Sequence, residues 1–257
     1  MFEAKLIQAS LLKKILEPIK DLVESANFDC SPSGISLQAM DSAHVTLINL
    51  LLRTDGFETY NCERSLSLGL SINALSKALK CAGNDDTLTM KARDEPDTLS
   101  LYFESPKNDR VCDFEIKLLD LGNDQYTIRD TEYAAVIKMP SSELQRICRD
   151  LSTLGEVVTI CANKEGVKFS TSGDVGSFNI TVRPTTDSSA KSEDSITIES
   201  KEPITLNFSL KFLTHFTKAT PLSPTVKIKM TDSAPVVVEY NIEDLGYLSF
   251  FLAPKLE

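Results

Sequence analysis

Residues 134–183 read AAVIKMPSSELQRICRDLSTLGEVVTICANKEGVKFSTSGDVGSFNITVR. The opening run alternates like a half-buried strand. Pro140-Ser141-Ser142 then supplies a helix start, with Gln145 three residues after Ser142 in the spacing of a capping box. Leu144, Ile147, Cys148 and Leu151 recur three and four apart and share one helix face, with Arg146 and Arg149 on the other. Gly155 is expected to close this helix as a C-terminal glycine. Three more alternating runs follow, EVVTICA, VKFSTS and SFNITVR, separated by the turn-forming Asn163-Lys164-Glu165-Gly166 and Gly173-Asp174-Val175-Gly176. The stretch thus encodes one strand, one amphipathic helix and three further strands.

The same unit recurs along the chain. Helical spacing is found at 9–24, 72–81, 141–154 and 210–219, with starts roughly 63, 69 and 69 residues apart, a period that marks a structural repeat. The runs FEAKLI, SLSLGL, AAVIKM and ITLNFS precede the four helices. In the first helix Leu11, Leu12, Ile15, Leu16, Ile19, Leu22 and Val23 oppose Lys13, Lys14, Glu17, Lys20 and Asp21, and Gly83 is expected to end the second. Strands FDCS, GISLQAM and VTLINLLLR follow the first helix, TLTMKA, TLSLYFES and RVCDFEIKL the second, and TVKIKM, VVVEYN and YLSFFL the fourth. One helix on a small antiparallel sheet buries its stripe poorly alone, so the units pair into two similar domains of α+β class. The acidic stretch LLDLGNDQYTIRDTEY interrupts the repeat, which gives an N-terminal domain at 1–117, a linker at 118–133 and a C-terminal domain at 134–257. Residues 184–195, rich in Thr, Ser, Asp and Lys, read as an exposed loop.

A chain of 257 residues, 42% hydrophobic and 25% charged, is globular in composition and long enough for two cores of about 125 residues each. Its 37 acids against 27 bases give a formal charge of −10, which argues against polyanionic partners for the surface as a whole. Cys30, Cys62, Cys81, Cys112, Cys148 and Cys161 stand singly, with only His44 and His215 beside them. Buried free thiols are therefore expected rather than zinc sites or a disulfide framework. The start, Met1-Phe2-Glu3-Ala4-Lys5, lacks the pattern of a secretory signal and no apolar run approaches membrane-spanning length, as expected of an intracellular, soluble protein.

Charge is not spread evenly. Nine of the 27 cations lie in the helical segments: Lys13, Lys14, Lys20, Lys77, Lys80, Arg146, Arg149, Lys211 and Lys218. Five acids accompany them, so the helices hold +4 and the remainder −14. The i, i+3 spacing of Lys77 with Lys80, and of Arg146 with Arg149, puts each pair on one helix face. Helices favour Lys and Arg on solvated faces whatever their function. Four equivalent helices with outward cations in an acidic chain nonetheless make a surface suited to phosphates, without access to base edges. There is no phosphate-binding loop, dinucleotide fingerprint, HExxH or GxSxG. Asp85-Asp86 and Glu193-Asp194 lie in polar, turn-like stretches and read as solvated charge, and His44 has no nucleophile nearby in sequence. No catalytic constellation, cofactor or metal site is expected.

Long stretches carry a family resemblance: MFEAKLIQASLLKK, GISLQAMDSAHVTLINLLLRTDGF from Gly34 to Phe57, Cys62-Glu63-Arg64 on to LSKALKCAGNDD, VIKMPSSELQRICRDLS, KEGVKFSTSGDVG, FTKATPLSPTV and LAPKLE. Through them the chain resembles, from end to end, the DNA sliding clamp family of eukaryotes. The resemblance implies the DNA clamp fold: a ring of three identical two-domain subunits, with helices lining a central hole and antiparallel sheets outside. It implies that the nine helical cations face double-stranded DNA, with Arg110 added at the rim and the segment from Asn61 to Lys80 associated with DNA. A closed ring holds DNA by topology, so its sequence-independent contacts can stay weak enough to slide.

The resemblance also implies a subunit contact in which the strand from Arg110 to Lys117 adds to that from Val175 to Val182 of the next copy. Phe114, Arg110, Val175, Phe178 and Ile180 would form it, with Phe114 where the family commonly has tyrosine. A pocket for partner peptides bearing a glutamine, aliphatic and aromatic motif is implied at Met40, His44, Val45, Leu47, Tyr126, Ile128, Tyr133, Pro235, Phe251, Leu252, Ala253 and Pro254. Tyr126 and Arg129 differ from residues frequent in the family and bear on partner preference. Lys164 matches the lysine used for ubiquitin conjugation through an isopeptide bond, in repair and translesion synthesis. Thr127 stands where some fungal members carry a second modifiable lysine. The implied role is non-enzymatic and nuclear: a homotrimeric processivity factor for DNA polymerase delta. Its further partners would be the clamp loader replication factor C, flap endonuclease, DNA ligase and other motif-bearing proteins. Two alternatives stand beside it, a subunit of a heterotrimeric checkpoint clamp and an enzyme on a repeated α+β scaffold.

Overall fold

Alternating and helical patterns become strands and helices in a computed structural model, which describes residues 1–107, 109–122, 126–174, 176–186 and 191–255. The chain forms two compact units. The first holds Met1–Ser42, Ile48–Tyr126 and Ile242–Leu248, and the second Ala43–Leu47, Thr127–Asn241 and Ser249–Glu257.

Through residue 126 the elements are β1 (Phe2–Leu6), α1 (Ala9–Ile19), β2 (Ser25–Ser31), β3 (Gly34–Met40), β4 (Thr46–Arg53), β5 (Thr59–Cys62), β6 (Leu66–Ser71), α2 (Ile72–Lys80), β7 (Thr87–Ala92), β8 (Thr98–Glu104) and β9 (Val111–Lys117). They make a five-stranded sheet in the order β5-β1-β7-β8-β9 and a second run in the order β4-β3-β2-β6. Beyond it come β10 (Ala135–Pro140), α3 (Ser141–Ser152), β11 (Val157–Asn163), β12 (Gly166–Gly173), β13 (Gly176–Val182), β14 (Thr197–Ser200), β15 (Ile204–Ser209), α4 (Leu210–Phe216), β16 (Thr225–Met230), β17 (Val236–Ile242) and β18 (Gly246–Leu252). Here a four-stranded sheet runs β13-β12-β11-β15 and a second run β14-β10-β16-β17. Neighbouring strands within these runs pair antiparallel.

In each unit two helices lie together on the sheets, α1 with α2 and α3 with α4. Leu12, Ile15, Leu16 and Ile19 of α1 and Leu75 and Leu79 of α2 are buried in the first core with Phe2, Leu99 and Phe103. In the second core Leu144, Ile147 and Leu151 of α3 lie with Phe169, Phe208 and Tyr240, and Phe216 stacks on Phe250 at 4.5 Å. Each such large side chain contributes about 2 kcal/mol by leaving water. The expected stripe is therefore what fixes each helix to its sheet.

Several local expectations give way to the structure. α1 ends at Ile19, not near residue 24: the Lys20 N–H still reaches the Leu16 carbonyl at 2.9 Å, but the Leu22 and Val23 N–H groups then share the Ile19 carbonyl at 2.9 and 3.1 Å, which tightens the chain into a turn. No capping box forms at α3, because Gln145 Nε2 donates instead to the Thr217 carbonyl at 3.0 Å and so ties α3 to the chain just after α4. α4 is shorter than expected and continues as a 3-10 turn over Thr217–Leu222, which contains Pro221. β5 and β14 were not legible: each is four residues long and largely polar. Of the cysteines, Cys30, Cys62 and Cys148 are buried as expected, but Cys81 is exposed at the end of α2. Of the loop at 184–195, residues 187–190 lie outside the described residues, and the Thr185 N–H bonds the Ile196 carbonyl at 2.9 Å. No helix among the described residues is long and apolar enough to cross a membrane.

Gly83 and Gly155 do not act as left-handed helix caps. The capping residues are Cys81 and Thr153, both right-handed, and neither glycine has positive φ. Gly155 is required for a close approach instead: a Cβ there would lie 2.2 Å from Thr171 Oγ1, which donates to the Val157 carbonyl at 2.7 Å. Gly155→Ala should therefore cost about 1–3 kcal/mol, read as a lower urea midpoint, whereas an unchanged midpoint would show that β12 yields freely.

Candidate nucleic-acid interface and subunit edges

Because each helix buries one stripe, its cations are left on the opposite face. In the first unit Lys14, Lys77 and Lys80 are exposed, with no ion-pair partner among the described residues. Lys13 Nζ donates to the Ala82 carbonyl at 2.6 Å, and Lys20, just past the end of α1, pairs with Glu17 at 2.7 Å. In the second unit Arg146 pairs with Glu143 at 2.8 Å and Arg149 with Asp150 at 3.2 Å. Lys211 is exposed without an ion-pair partner among the described residues, and Lys218 is half-buried in the 3-10 turn. These pairs are local and solvated, so a phosphate can displace the carboxylate at little cost. Each unit thus presents a basic helix face of exposed, exchangeable cations.

Arg110 differs from the other nine. Its Nη2 donates to Asp86 Oδ2 at 2.6 Å, and Asp86 is only 4% exposed. The expectation that Asp85-Asp86 is a solvated pair holds for Asp85 and fails for Asp86. Sequence gave no sign of this, because the partner lies 24 residues on.

Among the strands that end their sheets are β9 in the first unit and β13 in the second. On β9 Val111, Asp113, Glu115 and Lys117 are exposed, while Cys112, Phe114 and Ile116 face inward. Phe114 is half-buried and meets Phe103 edge-on at 6.0 Å. On β13 Phe178 is 40% exposed and Ile180 half-buried, opposite Thr171 and Phe169 of β12. Val175 lies outside the described residues. Exposed edges carrying large apolar side chains are what a pairing chain would cover.

Of the expected peptide-pocket residues, Met40 and Tyr126 fall in the first unit and the other ten in the second. There the Ala253 N–H donates to the Val45 carbonyl at 3.0 Å, tying the C-terminal segment to residues 43–47. His44, Ile128 and Pro235 are exposed, and Val45, Leu47, Tyr133, Phe251, Ala253 and Pro254 half-buried. Burial, with Glu239 and Asp130 nearby, pushes the Tyr133 phenol up and keeps it neutral. Leu252, at 1% exposure, is core and cannot meet a peptide.

The described part of 118–133 forms no helix or strand. In the first unit its N-terminal part is tethered: the Leu119 N–H donates to the Gly69 carbonyl at 2.8 Å, Asn27 Nδ2 to the Gly122 carbonyl at 2.6 Å, and the Tyr126 N–H to Gln38 Oε1 at 3.2 Å. Asn27 and Gln38 drew no notice in sequence, since a tether has no local signature. Lys164 stands exposed at the β11–β12 turn. The Asn163 carboxamide oxygen accepts the Glu165 and Gly166 N–H groups at 2.8 and 3.0 Å, an Asx turn that an Asn before Lys-Glu-Gly could have announced.

Comparison with known proteins agrees with this geometry. Residues 1–126 match the family description "Proliferating cell nuclear antigen, N-terminal domain", and residues 127–255 the corresponding C-terminal domain. The chain is 73% identical to the proliferating cell nuclear antigen of Dictyostelium discoideum over 258 aligned positions, covering 100% of both. Phe114→Ala removes the largest apolar side chain of the β9 edge and should leave monomers in sedimentation, whereas a persistent trimer would place the subunit contact on another strand.

Proposed function

The chain belongs to the proliferating cell nuclear antigen family, and we propose that the basic faces of α1 and α2 in one unit, and of α3 and α4 in the other, carry its contact with duplex DNA. As a member of that family it is a sliding clamp and processivity factor, a nuclear, non-enzymatic protein. It binds DNA, assembles with itself as a trimer, and serves the replicative polymerase and other replication proteins. Its resemblance to a checkpoint-clamp subunit is the weaker one, and no chemistry is assigned to it.

The observation that carries the residue assignment is the segregation of charge: exposed, exchangeable cations on helix faces of a chain whose formal charge is −10. Lys13, Lys14, Lys20, Lys77, Lys80, Arg146, Arg149, Lys211 and Lys218 contact phosphates in this reading. Seven of them stand on helices whose other face is core, with Lys20 and Lys218 just past the ends of α1 and α4, so they touch the backbone of the duplex and not base edges. Such contacts are independent of sequence, and every register along the duplex is equivalent. The ring therefore moves along DNA without crossing a barrier of specific contacts, and closure, not affinity, prevents loss.

The division into domains at 1–117 and 134–257 with a linker at 118–133 belongs to the same reading. Beside that linker, the exposed and half-buried pocket residues in the second unit receive the apolar motif of partner peptides, including those of DNA polymerase delta, flap endonuclease and DNA ligase, with replication factor C as loader. β9 and β13 pair between copies. Lys164, free at its turn, is the conjugation site.

The triple variant Lys20→Glu, Lys77→Glu, Arg149→Glu tests the helix assignment. Its DNA binding should weaken and its dependence on salt become shallower, since each lost phosphate contact removes about 0.9 from the log–log slope, while the trimer stays intact. Wild-type affinity and slope in an intact trimer would refute the assignment.

A further inference from the structure

We propose that Asp86 and Arg110 form a brace that holds the edge strand β9 where the next subunit adds, so that Arg110 is a positioning residue for ring closure and not a contact to DNA. The inference rests on the reading of β9 as a subunit edge.

Asp86 and Asp41 are the buried charged residues among the described ones, and three elements of the first unit meet at Asp86. Its carbonyl accepts the Ala9 N–H at 2.7 Å, at the first residue of α1. Its carboxylate accepts the Gly83 N–H at 2.7 Å, in the loop that leaves α2. The same oxygen accepts Arg110 Nη2 at 2.6 Å, on the residue immediately before β9. Lys13 adds a further tie from α1, to the Ala82 carbonyl.

Arg110 is also fixed through its main chain. Its N–H donates to Ser105 Oγ at 3.2 Å and its carbonyl accepts the Ser105 N–H at 3.0 Å, while Ser105 Oγ donates to Asp109 Oδ1 at 2.6 Å. The start of β9 is thus restrained twice, by backbone to the end of β8 and by side chain to the α2 loop. One side of β9 has no strand to order it, so these restraints hold it in the extended form that a pairing strand requires. Pre-ordering lowers the cost of association.

The chemistry of the pair separates it from the other cations. Asp86 has lost most of its hydration, and among the described residues its carboxylate is met by one N–H and one guanidinium. Removing Arg110 leaves a buried carboxylate with half its compensation, which is costly, whereas removing the exposed partners of Lys20 or Arg149 costs little. A phosphate approaching Arg110 would have to draw it from a buried acid, while Lys14, Lys77 and Lys80 are available without such exchange.

The test uses the full chain as wild type, Arg110→Ala, Arg110→Lys, Asp86→Asn and the double variant Arg110→Ala/Asp86→Asn. Ring dissociation is followed by mass photometry across protein concentration, and the salt dependence of binding to duplex DNA is measured where rings are complete. The proposal expects Arg110→Ala and Asp86→Asn each to raise the ring dissociation constant by about tenfold, and the double variant to be no worse than the more damaging single one. Arg110→Lys, which keeps charge but not the planar fork, should fall between wild type and Arg110→Ala, and it carries the test if Asp86→Asn does not fold. The salt slope should be unchanged throughout. Rings of Arg110→Ala as stable as wild type, additive losses in the double variant, or a shallower salt slope in intact Arg110→Ala rings would overturn it. A wild type that is monomeric at every concentration would instead refute the clamp reading on which it rests.

Discussion

The apolar stripe of each helix, pressed on an antiparallel sheet, is the interaction from which the rest follows. Leu12, Ile15, Leu16 and Ile19 in α1 and Leu144, Ile147 and Leu151 in α3 are almost wholly withdrawn from water. A helix so anchored has no rotational freedom left, and whatever lies opposite the stripe must face solvent. Lys14, Lys77, Lys80, Arg146, Arg149 and Lys211 lie there. The same packing that builds the core therefore aims the cations, and no separate device is needed to form the basic surface. A repeat of this unit multiplies the effect, since each copy presents cations in an equivalent place.

The packing also leaves edges. A helix covers the face of a sheet and not its margin, so β9 and β13 keep unpaired backbone and carry Val111 and Phe178 into solvent. In the proposed ring, copies pair through these two strands, which would cover the edges and enclose the DNA in one step. Acidic charge elsewhere on the chain complements this arrangement. A surface that repels polyanions on average, with net positive charge only on the helical segments, limits nonspecific adhesion of DNA to the rest of the molecule.

Much of this was legible in sequence because the signals are local and repeated. Four helices begin within a residue or so of where periodicity places them, and the strands around α3 follow the alternation in residues 134–183. The clamp family was legible too, through long motifs that span the chain. What escaped depends on distant partners. Asp86 looked like solvated charge beside Asp85, and only its approach to Gly83 and Arg110 shows otherwise. Gln145 fits a capping pattern, yet its amide finds the Thr217 carbonyl. Gly155 sits where a helix cap is expected, but the space it vacates is filled by Thr171. Leu252 belongs to a motif-bearing C-terminal stretch and is nonetheless core. In each case residue type and spacing were read correctly, and a tertiary contact decided the role.

The central claim is that DNA is held by enclosure in a trimer, with contacts too weak to hold it otherwise. The most direct measurement loads the protein with its clamp loader onto a closed circular duplex, isolates the complex at moderate salt, and then cuts the circle once. The account predicts a particle near three times 28.4 kDa that stays on the closed circle and runs off the cut one. Equal retention on closed and cut DNA, or a bound species of 28.4 kDa, would contradict it.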